Sequence, residues 1–457
     1  MSFTDWPWRE WRQQRGAAIA LHLEGESLTW HQLCQQVDAL AAGFFAQGVT
    51  CGAGVALRGK NSPQTLLCWL ALLQCGARIL PLNPQLPDGL LGQLLPGLTL
   101  SFGLSCGDSG PIPGLQALRP QAAEGECHAP WLPERYLSMT LTSGSTGLPK
   151  AAVHSGAAHL ACAVGVTGLM NFTAQDSWLL SLPLFHVSGQ GILWRWLLVG
   201  AALVVRPMHP LGQALQGCTH ASLVPTQLWR LLEGEPQSLV LKAVLLGGAA
   251  IPVELTDQAQ SRGIRCFCGY GLTEFASTVC AKPADGHPDV GRALAGREVR
   301  VVDGEIWLRA ASMAAGYWRD GAVTPLTNAQ GWFATRDRGH LENGVLTVTG
   351  RLDNQFFSGG EGIQPEELER VIVCHPAVSQ IFVVPVDDQE FGQRPVAVVE
   401  CAADFDPAQL ACWVRDKLAR FQQPVHWLRL PGELKNGGIK ISRQALRLWV
   451  AGQLSAA

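Results

Sequence analysis

The ten residues Leu141-Thr142-Ser143-Gly144-Ser145-Thr146-Gly147-Leu148-Pro149-Lys150 hold four hydroxyl side chains, two glycines and one lysine. Phosphate oxygens are bound by many short donors on a backbone that can come close. Gly144 and Gly147 permit the approach, while hydroxyls, backbone amides and Lys150 donate. The preceding Tyr136-Leu137-Ser138-Met139-Thr140 reads as a strand entering this turn. Leu148 and Pro149 separate Gly147 from Lys150, so the Gly-Lys-Ser/Thr ending of a P-loop is missing. The same composition also suits a surface turn, and the loop alone leaves both readings open.

Other reactive side chains stand where strands stop. A strand over 177–183 delivers Leu184-Phe185-His186-Val187-Ser188-Gly189-Gln190-Gly191 as a loop. Ligands collect at such ends in open α/β sheets, so His186 either lines a pocket or serves structure. Arg195 lies in the otherwise apolar run Ile192-Leu193-Trp194-Arg195-Trp196-Leu197-Leu198-Val199. A guanidinium there needs an anion or a fan of carbonyls, because an unpaired buried charge is costly. It is a structural ion pair, an arginine reaching solvent, or a clamp for a substrate carboxylate between aromatic walls. Two further strands end at Gly247-Gly248 and at Gly269-Tyr270-Gly271-Leu272-Thr273-Glu274. Glu274 offers a carboxylate for Mg²⁺, and Tyr270 a face for a purine. Asp337, in Thr335-Arg336-Asp337-Arg338-Gly339, could accept both hydroxyls of a ribose or belong to a polar turn. Lys440 sits on the glycine-bearing loop Leu434-Lys435-Asn436-Gly437-Gly438-Ile439-Lys440-Ile441-Ser442-Arg443, suited to a charge delivered only when needed.

The elements that must position these groups follow from periodicity. Helical spacing over 30–48, a buried strand over 52–57, a helix over 62–75, a strand over 77–82 and a helix near 88–95 give an α/β rhythm. Residues 101–135 read as a variable connection without chemistry. A helix over 157–169 precedes the strand-and-helix units just described, and residues 291–350 turn short and β-rich, suggesting a barrel-like subdomain. Gly350-Arg351-Leu352-Asp353-Asn354 reads as a boundary. Beyond it come an amphipathic helix from Pro365, strands over 381–385 and 396–400, and a helix over 407–420. The expected fold class is α/β: a large N-terminal domain, 1–352, of two α/β subdomains plus the β-barrel-like one, then a small mobile α+β domain, 353–457.

Composition narrows the partners. The net charge is −3 with no basic run, which argues against nucleic acid. No apolar run approaches the ~20 residues of a membrane span, and the start lacks a signal core, so a cytoplasmic protein is expected. The 14 cysteines lack CxxC pairs and read as reduced, buried thiols. Cys266 and Cys268 share one strand face, where packing competes with metal binding. Sixteen tryptophans against three tyrosines have no explanation at this level.

Taken in order, the segment from Thr142 to Lys150, Phe185-His186, the segment from Gly269 to Glu274, Asp337, the segment from Gly350 to Asp353, and Lys440 resemble the motif series of the acyl-adenylate-forming superfamily. That superfamily includes acyl-CoA synthetases, peptide-synthetase adenylation domains and luciferases. Asp5-Trp6-Pro7-Trp8, the residues from Ser181 to Gly191 and from Gly217 to Gln227, and Arg351-Leu352-Asp353-Asn354 resemble the branch that activates 2-succinylbenzoate in menaquinone biosynthesis.

The resemblance implies ATP, Mg²⁺ and coenzyme A, an acyl-AMP intermediate, and small-molecule partners only. A homo-oligomer is among the states it leaves open. It also implies roles. Thr142, Ser143, Gly144, Ser145, Thr146, Gly147 and Lys150 would hold the pyrophosphate portion of ATP. Gly269, Tyr270, Gly271 and Leu272 would border adenine, Thr273 would touch phosphate, and Glu274 would hold Mg²⁺. Asp337 would grip the ribose with Arg351 nearby, and Lys440 would bridge the attacking carboxylate and the α-phosphate. Asp353 would be the hinge, and His186 would shape the acyl pocket and gate the thiol. Arg195, with Ser222 and Thr278, would receive the aromatic carboxylate, beside Gly247 and Gly248.

The chain departs from the superfamily pattern at Arg336, Ile439 and Phe357, and Lys435 competes with Lys440. Lys440 is preferred because Lys440-Ile441-Ser442-Arg443 continues the motif. The rival readings are a synthetase for another aryl or fatty acid, a peptide-synthetase module, disfavoured because 17 residues follow Lys440, and a catalytically silent nucleotide-binding protein.

Overall fold

The structure, a computed structural model, describes residues 3–142, 148–234, 239–359, 361–402, 405–435 and 441–455. Buried apolar strands separated by helices can pair in parallel only through crossovers, and the first large sheet is built that way. Its order is Ser277–Pro283, Cys266–Leu272, Ala243–Leu246, His220–Leu223, Ser177–Leu179, Ala202–Val204, Ile19–His22, Ser27–Thr29. From Cys266–Leu272 to Ile19–His22 every pairing is parallel, and only the two edge strands run antiparallel.

The second large sheet runs Ala322–Thr324, Gly316–Arg319, Lys150–Ser155, Tyr136–Thr142, Arg78–Leu82, Gly54–Arg58, Phe102–Ser105, Gln116–Leu118. Residues 101–135 are therefore more than a connection, because two of these strands come from them. Helix Trp30–Ala46 starts at a capping box between Thr29 and Gln32. Helix Pro63–Gln74 starts at Ser62, whose hydroxyl accepts from the Thr65 amide.

The tryptophan excess now has a physical reason. Trp6, Trp8, Trp11, Trp30, Trp69, Trp131, Trp178, Trp194 and Trp196 share one core that joins both large sheets to helix Pro7–Arg15. Trp30 stacks on Trp196 at 5.2 Å, and Trp6 on Trp8 at 5.1 Å. Three of these indole N–H groups donate to backbone carbonyls: Trp6 Nε1 to Ala129, Trp11 Nε1 to Leu197 and Trp196 Nε1 to Ala201.

Residues 297–351 supply a four-stranded antiparallel sheet in the order Arg297–Val302, Glu305–Ala310, Phe333–Glu342, Val345–Arg351. Its core, with Ile306, Leu308 and Leu346, continues into Phe275, Val279 and Cys280 at the edge of the first sheet. Beyond the turn Leu352–Asn354 a further sheet forms around the long strands Val378–Asp388 and Gly392–Cys401, with cores on both faces. The helix expected over 407–420 is broken. A 3₁₀ turn Pro407–Gln409 leads into Leu410–Val414, after which Lys417 and Leu418 both donate to the Val414 carbonyl in a turn that ends the helix.

Two buried histidines tie stability to pH. His159 donates to or accepts from the Ser138 hydroxyl at 2.7 Å and stacks on Trp194, with His154 5.2 Å away. Burial pulls the His154 pKa down to about 4, opposed by the backbone of Thr273 and Glu274, and burial plus His154 holds His159 well below its ordinary value. The unfolded chain binds protons near pH 6.5 that the folded chain refuses. Stability should therefore be full above pH 6.5 and fall by up to ~1.4 kcal/mol per pH unit per histidine toward pH 4. Urea midpoints at pH 7.5 and 5 should show that loss, and equal midpoints would contradict it.

Candidate active site

The first-sheet strands His220–Leu223, Ala243–Leu246 and Cys266–Leu272 stop on one side, where parallel sheets gather ligands. Gly247 and Gly269 stand side by side there, a Cβ on Gly247 falling 3.4 Å from the Gly269 carbonyl. Gly248 adopts φ 83°, which favours glycine. Strand Cys266–Leu272 runs on through Tyr270 and Gly271, and the turn Thr273–Phe275 then delivers Glu274. Gly271 pairs with Thr278, and a Cβ on it would overlap the Ser277 carbonyl. Gly271→Ala should lower the unfolding midpoint and cost about 3 kcal/mol. A midpoint equal to that of the parent chain would contradict so close an approach.

Three clusters meet around these ends. In the first, the Tyr270 hydroxyl donates to Asp337 Oδ2 at 2.6 Å and Arg351 Nη1 to Asp337 Oδ1 at 3.0 Å. Arg351 and Arg336 also hold Asp353, so its carboxyl lies below the ordinary value although burial pushes it up. In the second, the Tyr317 hydroxyl donates to Glu274 Oε1 at 2.8 Å, and Lys150 Nζ lies 5.0 Å from the centre of the Tyr317 ring. Burial, then Glu274, raises the Tyr317 pKa. Tyr317 reaches the site from strand Gly316–Arg319, which pairs with Lys150–Ser155. Its position after Gly316 in a short β pattern was the only signal in the chain.

The third cluster surrounds Arg195, 1% exposed on helix Val187–Val199. Its Nη1 donates to Ser222 Oγ and its Nη2 to Thr278 Oγ1, each at 3.4 Å, and its guanidinium lies 5.2 Å from the Trp178 ring centre. Burial lowers its pKa to about 10, which leaves it charged at neutral pH. Among the described residues it forms no ion pair, which removes the structural-pair and solvent-reaching alternatives. Two hydroxyls do not neutralise a guanidinium, so the geometry suits an anion brought from outside.

Helix Val187–Val199 is tied to strand Tyr136–Thr142 by Gln190, whose Nε2 donates to Thr140 Oγ1 and the Leu184 carbonyl. The residues expected to form a loop from Val187 onward are thus helical, with His186 at the helix start against Phe185. Thr142 and Lys150 face each other across the hairpin of Tyr136–Thr142 and Lys150–Ser155. Ser143, Gly144, Ser145, Thr146, Gly147 and Lys440 lie outside the described residues. Cys266 and Cys268 are buried and, like all 14 cysteines, unpaired. Among the described residues no three metal-ligating side chains converge. A single oriented carboxylate, Glu274, is the donor set that suits magnesium arriving on phosphate oxygens.

The AMP-binding enzyme family matches residues 8–102 and 103–318, and the AMP-binding enzyme C-terminal domain matches residues 367–436. The chain belongs to this family of AMP-binding enzymes, with its large N-terminal and small C-terminal domains. Within it the chain groups with the 2-succinylbenzoate–CoA ligases. The Salmonella typhimurium ligase of that name is 67% identical over 98% of this chain and 99% of its own length. The solved R195K variant of Escherichia coli MenE with bound OSB-AMS is 65% identical, with a TM-score of 0.95 over 99% of this chain and 100% of that one. O-succinylbenzoate coenzyme A synthetase (MenE) from Bacillus subtilis, in complex with ATP and magnesium ion, is 26% identical, with a TM-score of 0.82 over 93% of this chain and 96% of that one.

Proposed function

We infer that this chain is an AMP-forming acid–thiol ligase that joins coenzyme A to 2-succinylbenzoate through an acyl adenylate, in menaquinone biosynthesis. The observation that carries the substrate is Arg195, a buried cation without an anionic partner among the described residues, held by Ser222 and Thr278 beside the strand that carries Tyr270. A ring carboxylate meets that cation while the succinyl carboxylate points to the nucleotide.

In the first half-reaction the succinyl carboxylate attacks the α-phosphorus of ATP. The bond to the bridging oxygen breaks and pyrophosphate leaves. In the second, the coenzyme A thiol loses its proton and attacks the acyl carbonyl, and AMP leaves. Both steps need charge neutralisation and orientation rather than an enzyme nucleophile. Thr142, the loop residues up to Gly147, and Lys150 hold the departing pyrophosphate. Thr273 touches phosphate, Tyr270 with its flanking glycines and Leu272 borders adenine, and Asp337, oriented by Arg351, takes the ribose hydroxyls. Glu274, oriented by the Tyr317 hydroxyl, would hold Mg²⁺, which when bound screens the phosphate charge. Lys440 bridges carboxylate and α-phosphate. Gly247 and Gly248 border the acyl group, and His186 closes its pocket on the thiol side.

The domain boundary falls at residue 352, and Asp353 acts as the hinge between half-reactions, supported by its place in the turn Leu352–Asn354. A cytoplasmic site is supported by the 14 unpaired thiols, which suit a reducing compartment. No helix among the described residues is long and apolar enough to cross a membrane.

Incubation with Mg·ATP and 2-succinylbenzoate should release one pyrophosphate per site without coenzyme A, and AMP plus thioester with it. Failure to release pyrophosphate with any acid would leave only a nucleotide-binding protein.

A further inference from the structure

Two helical glycines make room for two guanidinium groups behind the acyl pocket. A Cβ on Gly191, in helix Val187–Val199, would stand 3.1 Å from Arg195 Nη2. One on Gly165, in helix Gly156–Met170, would overlap Arg297 Nη1. Arg297 is 7% exposed, and its guanidinium is surrounded by carbonyls. Nε donates to Thr278 at 3.0 Å, Nη1 to Ala295 at 2.7 Å, and Nη2 to Cys162 at 2.8 Å and Ala161 at 3.4 Å. Carbonyl dipoles solvate this cation but do not cancel its charge, and Arg297 forms no ion pair among the described residues.

Thr278 is therefore gripped at both ends, its carbonyl by Arg297 and its hydroxyl by Arg195. Burial lowers the Arg195 pKa first, Cys162 opposes it, and Arg297 then adds to the lowering. Like charges held together in a low-dielectric interior disfavour the empty pocket and reward an anion placed on Arg195.

We propose that Arg297 is a positioning and specificity residue of the acyl pocket: it fixes Thr278 against Arg195, and its uncancelled charge biases the pocket toward a dianionic acid. The inference rests on the reading that Arg195 receives the ring carboxylate. Arg297 touches no substrate and acts through Thr278 and through its field.

The test compares 2-succinylbenzoate with 4-oxo-4-phenylbutanoate, which has the same acyl chain without the ring carboxylate, in a pyrophosphate-release assay with the full-length chain. The parent chain should strongly prefer the dicarboxylate. Arg297→Gln should raise KM for 2-succinylbenzoate about tenfold with kcat held within about threefold, leaving KM for ATP and the monocarboxylate kcat/KM nearly unchanged. Arg297→Lys, which keeps the charge, should recover part of the preference. Equal losses on both acids, or an unchanged preference in Arg297→Gln, would overturn the inference while the substrate reading stood. A parent chain without preference would instead overturn the substrate reading, and this inference with it. If Arg297→Gln does not fold, Gly165→Ala, which crowds the same guanidinium, should lower the same preference, and an unchanged preference there is decisive against it.

Discussion

Lys440→Ala should abolish acyl-adenylate formation, by about a thousandfold or more, yet leave thioester formation from supplied acyl-AMP within a few-fold of the parent rate. The expectation follows from the chemistry. Only the first half-reaction brings two anions, a carboxylate and a phosphate, into bonding distance, and a cation between them is needed only there. The neighbouring structure suits a delivered lysine. Arg443, three residues on, is anchored by the Glu369 carboxylate at 2.6 Å and the Val383 carbonyl at 2.8 Å. Arg443 is therefore a fixed point on the small sheet. Lys435, the competing lysine, is instead paired with Glu400 at 3.0 Å. Separate assays of the two half-reactions decide the matter, and equal losses in both would remove Lys440 from this role.

The second large effect belongs to Arg195. Arg195→Met keeps the volume but removes the cation, so the ring carboxylate would enter an apolar pocket unpaired. Stranding a buried charge costs about 4 kcal/mol, which is close to a thousandfold loss in kcat/KM for 2-succinylbenzoate. Stability should hold or rise, because burying a lone guanidinium against two hydroxyls is itself unfavourable. A fall in thermal midpoint with equal losses on dicarboxylate and monocarboxylate acids would make Arg195 a structural residue.

Parts of this candidate site were legible in the chain where a motif follows a strand that periodicity reveals, as Glu274 follows Cys266–Leu272 and Gly247 follows Ala243–Leu246. Ser62 before Pro63, the run from Ala243 to Leu246 and the glycines after it carry local signals that fix where elements start and stop. Arg195 was conspicuous because a charge in an apolar run needs a partner. What stayed hidden depends on contacts far apart in sequence. Tyr270 and Asp337 lie 67 residues apart, and neither announces the other. Tyr317 reaches Glu274 only because its strand joins the second large sheet beside Lys150. Arg297 carried no signal in the chain, since the carbonyls that hold it come mostly from a distant helix and strand. Phe102–Ser105 and Gln116–Leu118 were missed for another reason. They are four and three residues long, too short for alternation to show. The break after Val414 kept the inward spacing of Leu410, Val414 and Leu418 while the backbone turned, so the pattern suggested a helix longer than the one that forms.

The most direct measurement is pyrophosphate release by the purified chain with Mg·ATP, coenzyme A and a panel of acids comprising 2-succinylbenzoate, benzoate and octanoate. Strong preference for 2-succinylbenzoate, lost on replacing Arg195, is the expected result. Preference for benzoate or octanoate, unaffected by that replacement, would contradict the dicarboxylate clamp and leave an adenylating enzyme for another acid.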